Sequence, residues 1–125
     1  MYDYVESNAS IIRINRGDTY RAPLFINVGT WVNPVRYDLQ PEDKLYFGVM
    51  EPNKLWEQSI LRQIYTTENS EFSQDVDIYI KIAPEETEFL RPGKYYYMVK
   101  LVRYMGENKE DEIITVIPHT LFYVL

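Results

Sequence analysis

The sequence predicts an all-β domain built as a two-sheet antiparallel sandwich. Short runs of alternating apolar and polar residues recur along the chain, and turn signals separate them at roughly 8–12-residue spacing. Helical periodicity is nearly absent, and the 12 Tyr, 5 Phe and 2 Trp favour strands or contact surfaces. Because 125 residues is close to the usual size of one domain, residues 1–125 are expected to form a single sandwich.

The first half of the chain supplies three predicted strands. Ile12 and Ile14 share one face, and the turn at 16–18 leads into an alternating run over residues 20–28. The stretch from 29 to 43 has two prolines and no clean period, so we interpret it as a long connection between sheets. Leu45, Phe47 and Val49 then point to one side of the next strand.

The second half of the chain supplies four more predicted strands. Residues 56–65 alternate less cleanly and predict a half-exposed strand, whereas residues 76–82 show the cleanest alternation in the chain. Residues 94–104 predict a long strand that is apolar on both faces, which indicates a central strand or an interface. The segment 112–125 returns as a final strand with a kink at Pro118.

One short helical turn is predicted between the strand at 76–82 and the strand at 94–104. Pro84 suits the first helical position, and the acids that follow it favour the N-terminal end of the helix dipole. Pro92 and Gly93 then predict a type II turn with a positive φ angle at Gly93. About seven strands and one helical turn, without the Cys and Trp signature of antibody domains, predict an immunoglobulin-like sandwich. Its predicted core comprises Ile12, Ile14, Leu24, Ile26, Leu45, Phe47, Val49, Val76, Ile78, Ile80, Tyr97, Val99 and Leu101.

Composition argues against several functional classes. The absence of cysteine removes disulfides and thiolate metal sites, and a net charge of −6 with scattered basic residues disfavours nucleic acid as a partner. The acidic segment 1–6 is unlike a signal peptide, and no run reaches membrane-spanning length, so a cytoplasmic origin without membrane association is expected.

Few residues suggest chemistry. His119 is the only histidine, and its place at a strand kink favours a surface or turn role over general-base catalysis. The acidic clusters at 75–77 and 107–112 lack the glycine-punctuated spacing of a calcium loop and are interpreted as solvated loop charge. The tripeptide at 16–18 has an integrin-type spelling but suits an ordinary turn. We therefore expect no catalytic residue, metal or cofactor, and a protein that is not an enzyme.

Aromatic side chains are the candidate binding residues. Rings offer large, rigid contact area at low entropic cost, so an exposed set could dock protein or stack on sugar. The alternative is that most of them belong to the core. The interface candidates are Trp31, Trp56, Tyr96, Phe122 and Tyr123.

Several motifs follow one another in a defined order along the chain. The segment 14–19 opens a strand, the segments 83–87 and 90–97 carry the helical turn and the tyrosine run, and the segments 115–118 and 122–124 close the chain. This order resembles the N-terminal domain of phage baseplate upper proteins, although Glu86 stands where aspartate is usual in that family.

The resemblance implies an immunoglobulin-like structural protein of a bacteriophage virion, assembled in the bacterial host cytoplasm. It implies an adaptor of baseplate or tail, or a capsid decoration protein, present as a homo-oligomer or in many copies and contacting other virion proteins. Receptor-binding-protein docking in that family uses a further helical region that is not found in these 125 residues. The alternative function is a host-surface carbohydrate-binding module that uses the exposed aromatic residues.

Overall fold

The computed structural model describes residues 4–67 and 78–125, which form ten strands, one 3₁₀ turn and one short α-helix. The strands are β1 (Tyr4–Ser7), β2 (Ile12–Ile14), β3 (Tyr20–Leu24), β4 (Ile26–Gly29), β5 (Pro34–Arg36), β6 (Lys44–Met50), β7 (Leu61–Tyr65), β8 (Ile78–Ile82), β9 (Gly93–Arg103) and β10 (Glu112–Val124). The 3₁₀ turn spans Trp56–Gln58, and the helix α1 spans Pro84–Thr87. None of the described helices is long and apolar enough to span a membrane.

One layer of the fold is a five-stranded sheet in the order β2-β10-β9-β6-β7. All of its neighbours are antiparallel except β2, which runs parallel to β10 with Ile12 opposite Phe122. The long strand β9 lies at its centre, as its apolar character on both faces predicts, and β10 lies beside it. The order β10-β9-β6-β7 corresponds to the G-F-C-C′ sheet of a variable-type immunoglobulin sandwich.

The second layer consists of the antiparallel sheets β1-β4-β5 and β3-β8. Only Phe25 separates β3 from β4, so one bent chain serves both sheets. The all-β sandwich prediction is confirmed. The estimate of about seven strands is too low for the described residues, because the run at 20–28 splits at Phe25 and short strands form at both 4–7 and 34–36.

The core lies between these layers and consists mainly of the inward side chains of the strands. Leu45, Val49, Val99 and Leu101 are completely buried, and each such aliphatic side chain contributes about 1.5–3 kcal/mol relative to exposure. Of the predicted core, Val76 and the side chain of Ile78 lie outside the described residues. The remaining predicted members are buried: Ile12, Ile14, Leu24, Ile26, Leu45, Phe47, Val49, Ile80, Tyr97, Val99 and Leu101.

A buried carboxylate fastens the start of β6 to the end of β9. Asp43 accepts hydrogen bonds from the Tyr37 hydroxyl, from the backbone N–H of Gln40 at 3.0 Å and from the backbone N–H of Tyr104 at 2.9 Å. A buried charge is tolerated only when its oxygens have such donors. Through these hydrogen bonds, Asp43 connects the segment that leads into β6 with the residue that follows β9.

The predicted helical turn is present and prepares the start of β9. Pro84 occupies the first turn of α1, and a Glu86 carboxylate oxygen accepts a hydrogen bond from the backbone N–H of Ala83 at 2.8 Å. Further along, the Tyr95 hydroxyl donates to the Arg91 carbonyl at 2.7 Å. A tyrosine at the start of this strand that bonds back to the preceding loop is the tyrosine corner of immunoglobulin-like domains.

Three local predictions differ in detail from the structure. Gly93 has the predicted positive φ, but its value of 152° is far from a type II turn, because Gly93 already pairs with Val124 as the first residue of β9. Residues 56–58 form a 3₁₀ turn rather than the start of a strand. The kink in β10 is confirmed by shifts of register on both sides of Ile117.

Candidate functional site: the outer sheet face

Three of the predicted interface residues meet on the outward side of the five-stranded sheet. Tyr96 points outward because Tyr95 and Tyr97, its neighbours along β9, are buried. Tyr123 lies directly opposite Lys94, two residues from Tyr96, and therefore points to the same side. We call this surface the outer sheet face, defined by Arg13, Trp56, Lys94, Tyr96, Lys100 and Tyr123.

Trp56 joins the outer sheet face through a glycine in β6. A Cβ atom added to Gly48 would lie 2.7 Å from the Trp56 ring, so the indole rests directly on the backbone of β6. The 3₁₀ turn is fixed by a hydrogen bond from the Leu55 N–H to the Gln58 side chain at 2.9 Å, and by one from the Ser59 hydroxyl to the Trp56 carbonyl at 2.6 Å. The absence of a side chain at Gly48 thus leaves the space in which the Trp56 indole packs against the sheet.

Each of the three rings is paired with a cation. The Arg13 guanidinium lies 5.4 Å from the Tyr123 ring centre, and the ammonium groups of Lys94 and Lys100 lie 5.5 Å and 5.1 Å from the rings of Tyr96 and Trp56. Cations at this distance from exposed rings gain about 0.5–1 kcal/mol. These contacts hold the positive charges close to the sheet.

The charge of this side of the sheet is opposite to that of the whole chain. In the strand register, the outward positions of β2, β6, β7, β9 and β10 carry no Asp or Glu. The protein nevertheless has 19 acidic residues and a net charge of −6. The outward cations on these strands are Arg13, Lys44, Arg62, Lys94 and Lys100.

A shallow cavity of about 240 Å³ opens beside Tyr96. Glu51, Asn53, Lys54 and His119 complete its lining, and the His119 ring meets the Tyr96 ring edge-on at 6.0 Å. These groups offer hydrogen-bond donors and acceptors next to an aromatic surface, which suits binding of a polar ligand. In the described part of the chain, no group of three or more His, Asp or Glu is placed to hold a metal ion.

The other two interface candidates lie elsewhere. Trp31 sits in the turn between β4 and β5, on the second layer, and is 77% exposed. Phe122 is wrong as a surface residue: it is 0% exposed and packs 6.3 Å from the Tyr97 ring inside the core. Phe122 lies opposite the buried Tyr95 and Tyr123 lies opposite Lys94, so Phe122 points inward and Tyr123 outward.

The cations of the outer sheet face were not predicted from the sequence. Lys94 and Lys100 carried a signal, because they stand at even-numbered spacing from Tyr96 on one predicted strand and must share its face. Arg13 carried none, since its neighbour Tyr123 is far along the chain. Gly48 carried none either, because its role depends on where the 3₁₀ turn folds back.

Comparison with protein-family models gave no match, and neither did comparison with curated proteins. Among solved structures, a chain from the "Structural basis of T cell specificity and activation by the bacterial superantigen toxic shock syndrome toxin-1" has a similar fold. The alignment covers 98% of both chains with a TM-score of 0.51 and 9% sequence identity. At that identity the likeness concerns the all-β fold alone.

Proposed function

We propose that this protein is a non-enzymatic structural component of a bacteriophage particle that docks onto another virion protein through the outer sheet face. The observation that carries the proposal is the outer sheet face itself: three outward rings, each held by a cation, on a sheet whose outward positions lack acids. Aromatic residues and arginine are enriched in protein interfaces. The role in the particle is that of a baseplate or tail adaptor or a capsid decoration protein, present in many copies.

The motifs of the phage resemblance support the proposal because they meet in space. The turn at 16–18 contacts α1 through the Gly17 backbone N–H, which donates to the Thr87 hydroxyl at 3.0 Å. The strand that follows α1 then carries Lys94, Tyr96 and Lys100 on the outer sheet face. The turn at 16–18, α1 and β9 therefore form part of the scaffold that presents the outer sheet face.

The test is incorporation into particles. Phage particles are purified from an infected host and analysed by quantitative mass spectrometry, and we expect this protein at a copy number that matches a capsid or baseplate symmetry. The variant Tyr96→Ala should reduce its incorporation, whereas Trp31→Ala, which lies on the other layer, is the matched control. Absence of the wild-type protein from intact particles would overturn the proposal.

A second candidate function has its own observation. The cavity beside Tyr96 combines an aromatic ring with Glu51, Asn53, Lys54 and His119, a set that suits a sugar with its apolar face on the ring. As a host-surface carbohydrate-binding module, the domain should bind glycans extracted from the host envelope. Loss of that binding in Asn53→Ala, with Trp31→Ala unchanged, would favour this function over the structural one.

A further inference from the structure

The surface chemistry of the partner follows from how charge is distributed over the molecule. Five of the 13 Lys and Arg residues occupy outward positions on the five-stranded sheet, and none of the Asp and Glu residues within 4–67 and 78–125 does. A random distribution over a chain of net charge −6 would favour acids at these positions. The sheet is thus a cationic area on an anionic protein.

We infer that the outer sheet face docks onto an acidic, partly apolar protein surface, and that two copies of this chain do not pair through it. The inference rests on the proposed function and names the chemistry of the partner. Carboxylates of the partner would meet Arg13, Lys94 and Lys100, while its apolar side chains would meet the exposed apolar residues between and beside these cations.

The cations that would contact the partner are already ordered in the free protein. Free lysine and arginine side chains lose rotamer entropy when they are fixed, at about 0.5–1.5 kcal/mol for each side chain in an interface. Here the rings of Tyr123, Tyr96 and Trp56 already restrict the three charged groups. Part of the cost of ordering is therefore met in the free protein.

The apolar residues on the same side indicate a protein rather than a polyanion. Ile64 on β7 is 48% exposed and Ile113 on β10 is 65% exposed, and both point outward in the register. Met98 and Val102 lie between them on β9 and are half-buried. A nucleic acid or a sulfated glycan would leave these groups unused, whereas a protein surface buries them.

Pairing of two identical outer sheet faces is disfavoured by charge. A two-fold dimer brings the same patch of both copies together, so Lys94 and Lys100 of one copy would approach the cations of the other, on a sheet whose outward strand positions carry no Asp or Glu. Like charges brought together in an interface oppose association. The same positive charge attracts an acidic partner and accelerates their encounter.

The first experiment measures particle incorporation of two charge-reversal variants that carry the same net charge. Lys94→Glu/Lys100→Glu reverses the outer sheet face, and Arg91→Glu/Lys109→Glu reverses two exposed cations elsewhere. We expect incorporation of the first variant to fall about tenfold or more and that of the second to match the wild type. Thermal unfolding of both purified proteins verifies that they are folded. Equal incorporation of the two variants would overturn the inference and leave the proposed function standing.

The second experiment does not depend on the particle. A synthetic peptide of Glu, Leu and Gly is titrated into isotope-labelled protein and followed by NMR, beside a peptide with Lys in place of Glu, a heparin oligosaccharide and a single-stranded oligonucleotide. We expect shifts at 13, 94, 96, 100 and the exposed isoleucines with the acidic peptide only, weakened by salt. Binding of heparin or the oligonucleotide without the peptide would overturn the inference, as would a dimer that Tyr96→Ala dissociates. Absence of the wild-type protein from particles would instead refute the proposed function.

Discussion

The hydroxyl of Thr87 accepts a hydrogen bond from the backbone N–H of Gly17, with 3.0 Å between the oxygen and the nitrogen. Thr87 is 0% exposed, and Gly17 has a φ angle of +84° in the turn before β3. The bond therefore ties the first turn of the chain to α1, although the two lie 70 residues apart. Two segments recognised in the sequence as separate turns form one connected unit.

Thr87→Val should destabilise the domain, because the substitution keeps the shape of the side chain but leaves the Gly17 N–H without an acceptor. We expect a loss of about 1–3 kcal/mol in the free energy of unfolding, measured by urea denaturation at neutral pH. Thr19→Val at an exposed position is the control, with an expected change within about 0.5 kcal/mol. Unchanged hydrogen exchange of the Gly17 amide in Thr87→Val would contradict this account.

Gly48→Ala should displace Trp56 from the outer sheet face, because the added methyl group would lie within 2.7 Å of the indole. A loss of about 1–3 kcal/mol is expected from overpacking. In a Trp31→Phe background Trp56 is the remaining tryptophan, so its fluorescence reports the displacement directly. Combining Gly48→Ala with Trp56→Ala should remove the part of the added cost that comes from the ring, whereas the part that comes from the Ser59 hydroxyl oxygen, 2.8 Å from the added methyl group, should remain. Fully additive effects in this double-mutant cycle would show that the ring is not an obstacle.

Gly93→Ala should destabilise the start of β9 through the backbone alone. No heavy atom lies within 4 Å of the added Cβ, so space is available, but the φ angle of 152° is one that residues with a side chain rarely adopt. The expected cost is about 1–3 kcal/mol, measured by thermal unfolding. Stabilisation by alanine, which occurs where the native φ is negative, would be incompatible with this geometry.

Stability should fall at alkaline pH because tyrosine hydroxyls are buried. Burial raises the pKa of Tyr20, Tyr65 and Tyr97 above the ordinary value of 10.0, and burial together with the bond to Asp43 raises the pKa of Tyr37. Above pH 10 the unfolded chain releases these protons while the folded chain retains them. Their contribution is therefore complete below pH 10 and is lost as the pH rises through the folded-state pKa values.

Tyr97→Phe provides the check on this pH dependence. The substitution removes a hydrogen bond to the Ser10 carbonyl and should cost about 0.5–1.5 kcal/mol at neutral pH. It also removes one titrating group, so the decline in stability above pH 10 should be shallower than in the wild type. A decline of equal steepness would indicate that Tyr97 ionises as readily in the folded protein as in the unfolded chain.

The sequence predicted the fold class and most of the core because alternation in a strand determines which side chains share a face. Tyr97, Val99 and Leu101 illustrate this, since their parity along β9 placed them inward without knowledge of any neighbour. Phe122 was chosen as an interface residue from its aromatic type, although it shares the inward parity of Val124 along β10. Residue type alone does not determine which face of a strand an aromatic ring occupies.

The outer sheet face was predicted only in part for a related reason. Tyr96 and Tyr123 could be identified as contact residues from their type, but their proximity depends on the register between β9 and β10. The position of Trp56 depends on a 3₁₀ turn that folds back over Gly48, and Arg13 reaches Tyr123 only because β2 runs beside β10. These relationships arise from pairings over long distances in the chain.

The parallel pairing of β2 with β10 also determines how the sheet responds to mechanical tension. Ile12 lies opposite Phe122 and Ile14 opposite Val124, so the chain enters β2 at one end of this pair and leaves β10 at the other. Tension between Ile12 and Val124 would pull the two strands along their axes in opposite directions. All of the hydrogen bonds between them would then be loaded in shear at the same time, rather than opened one after another from an end. The geometry makes this strand pair a clamp against forces applied along the chain.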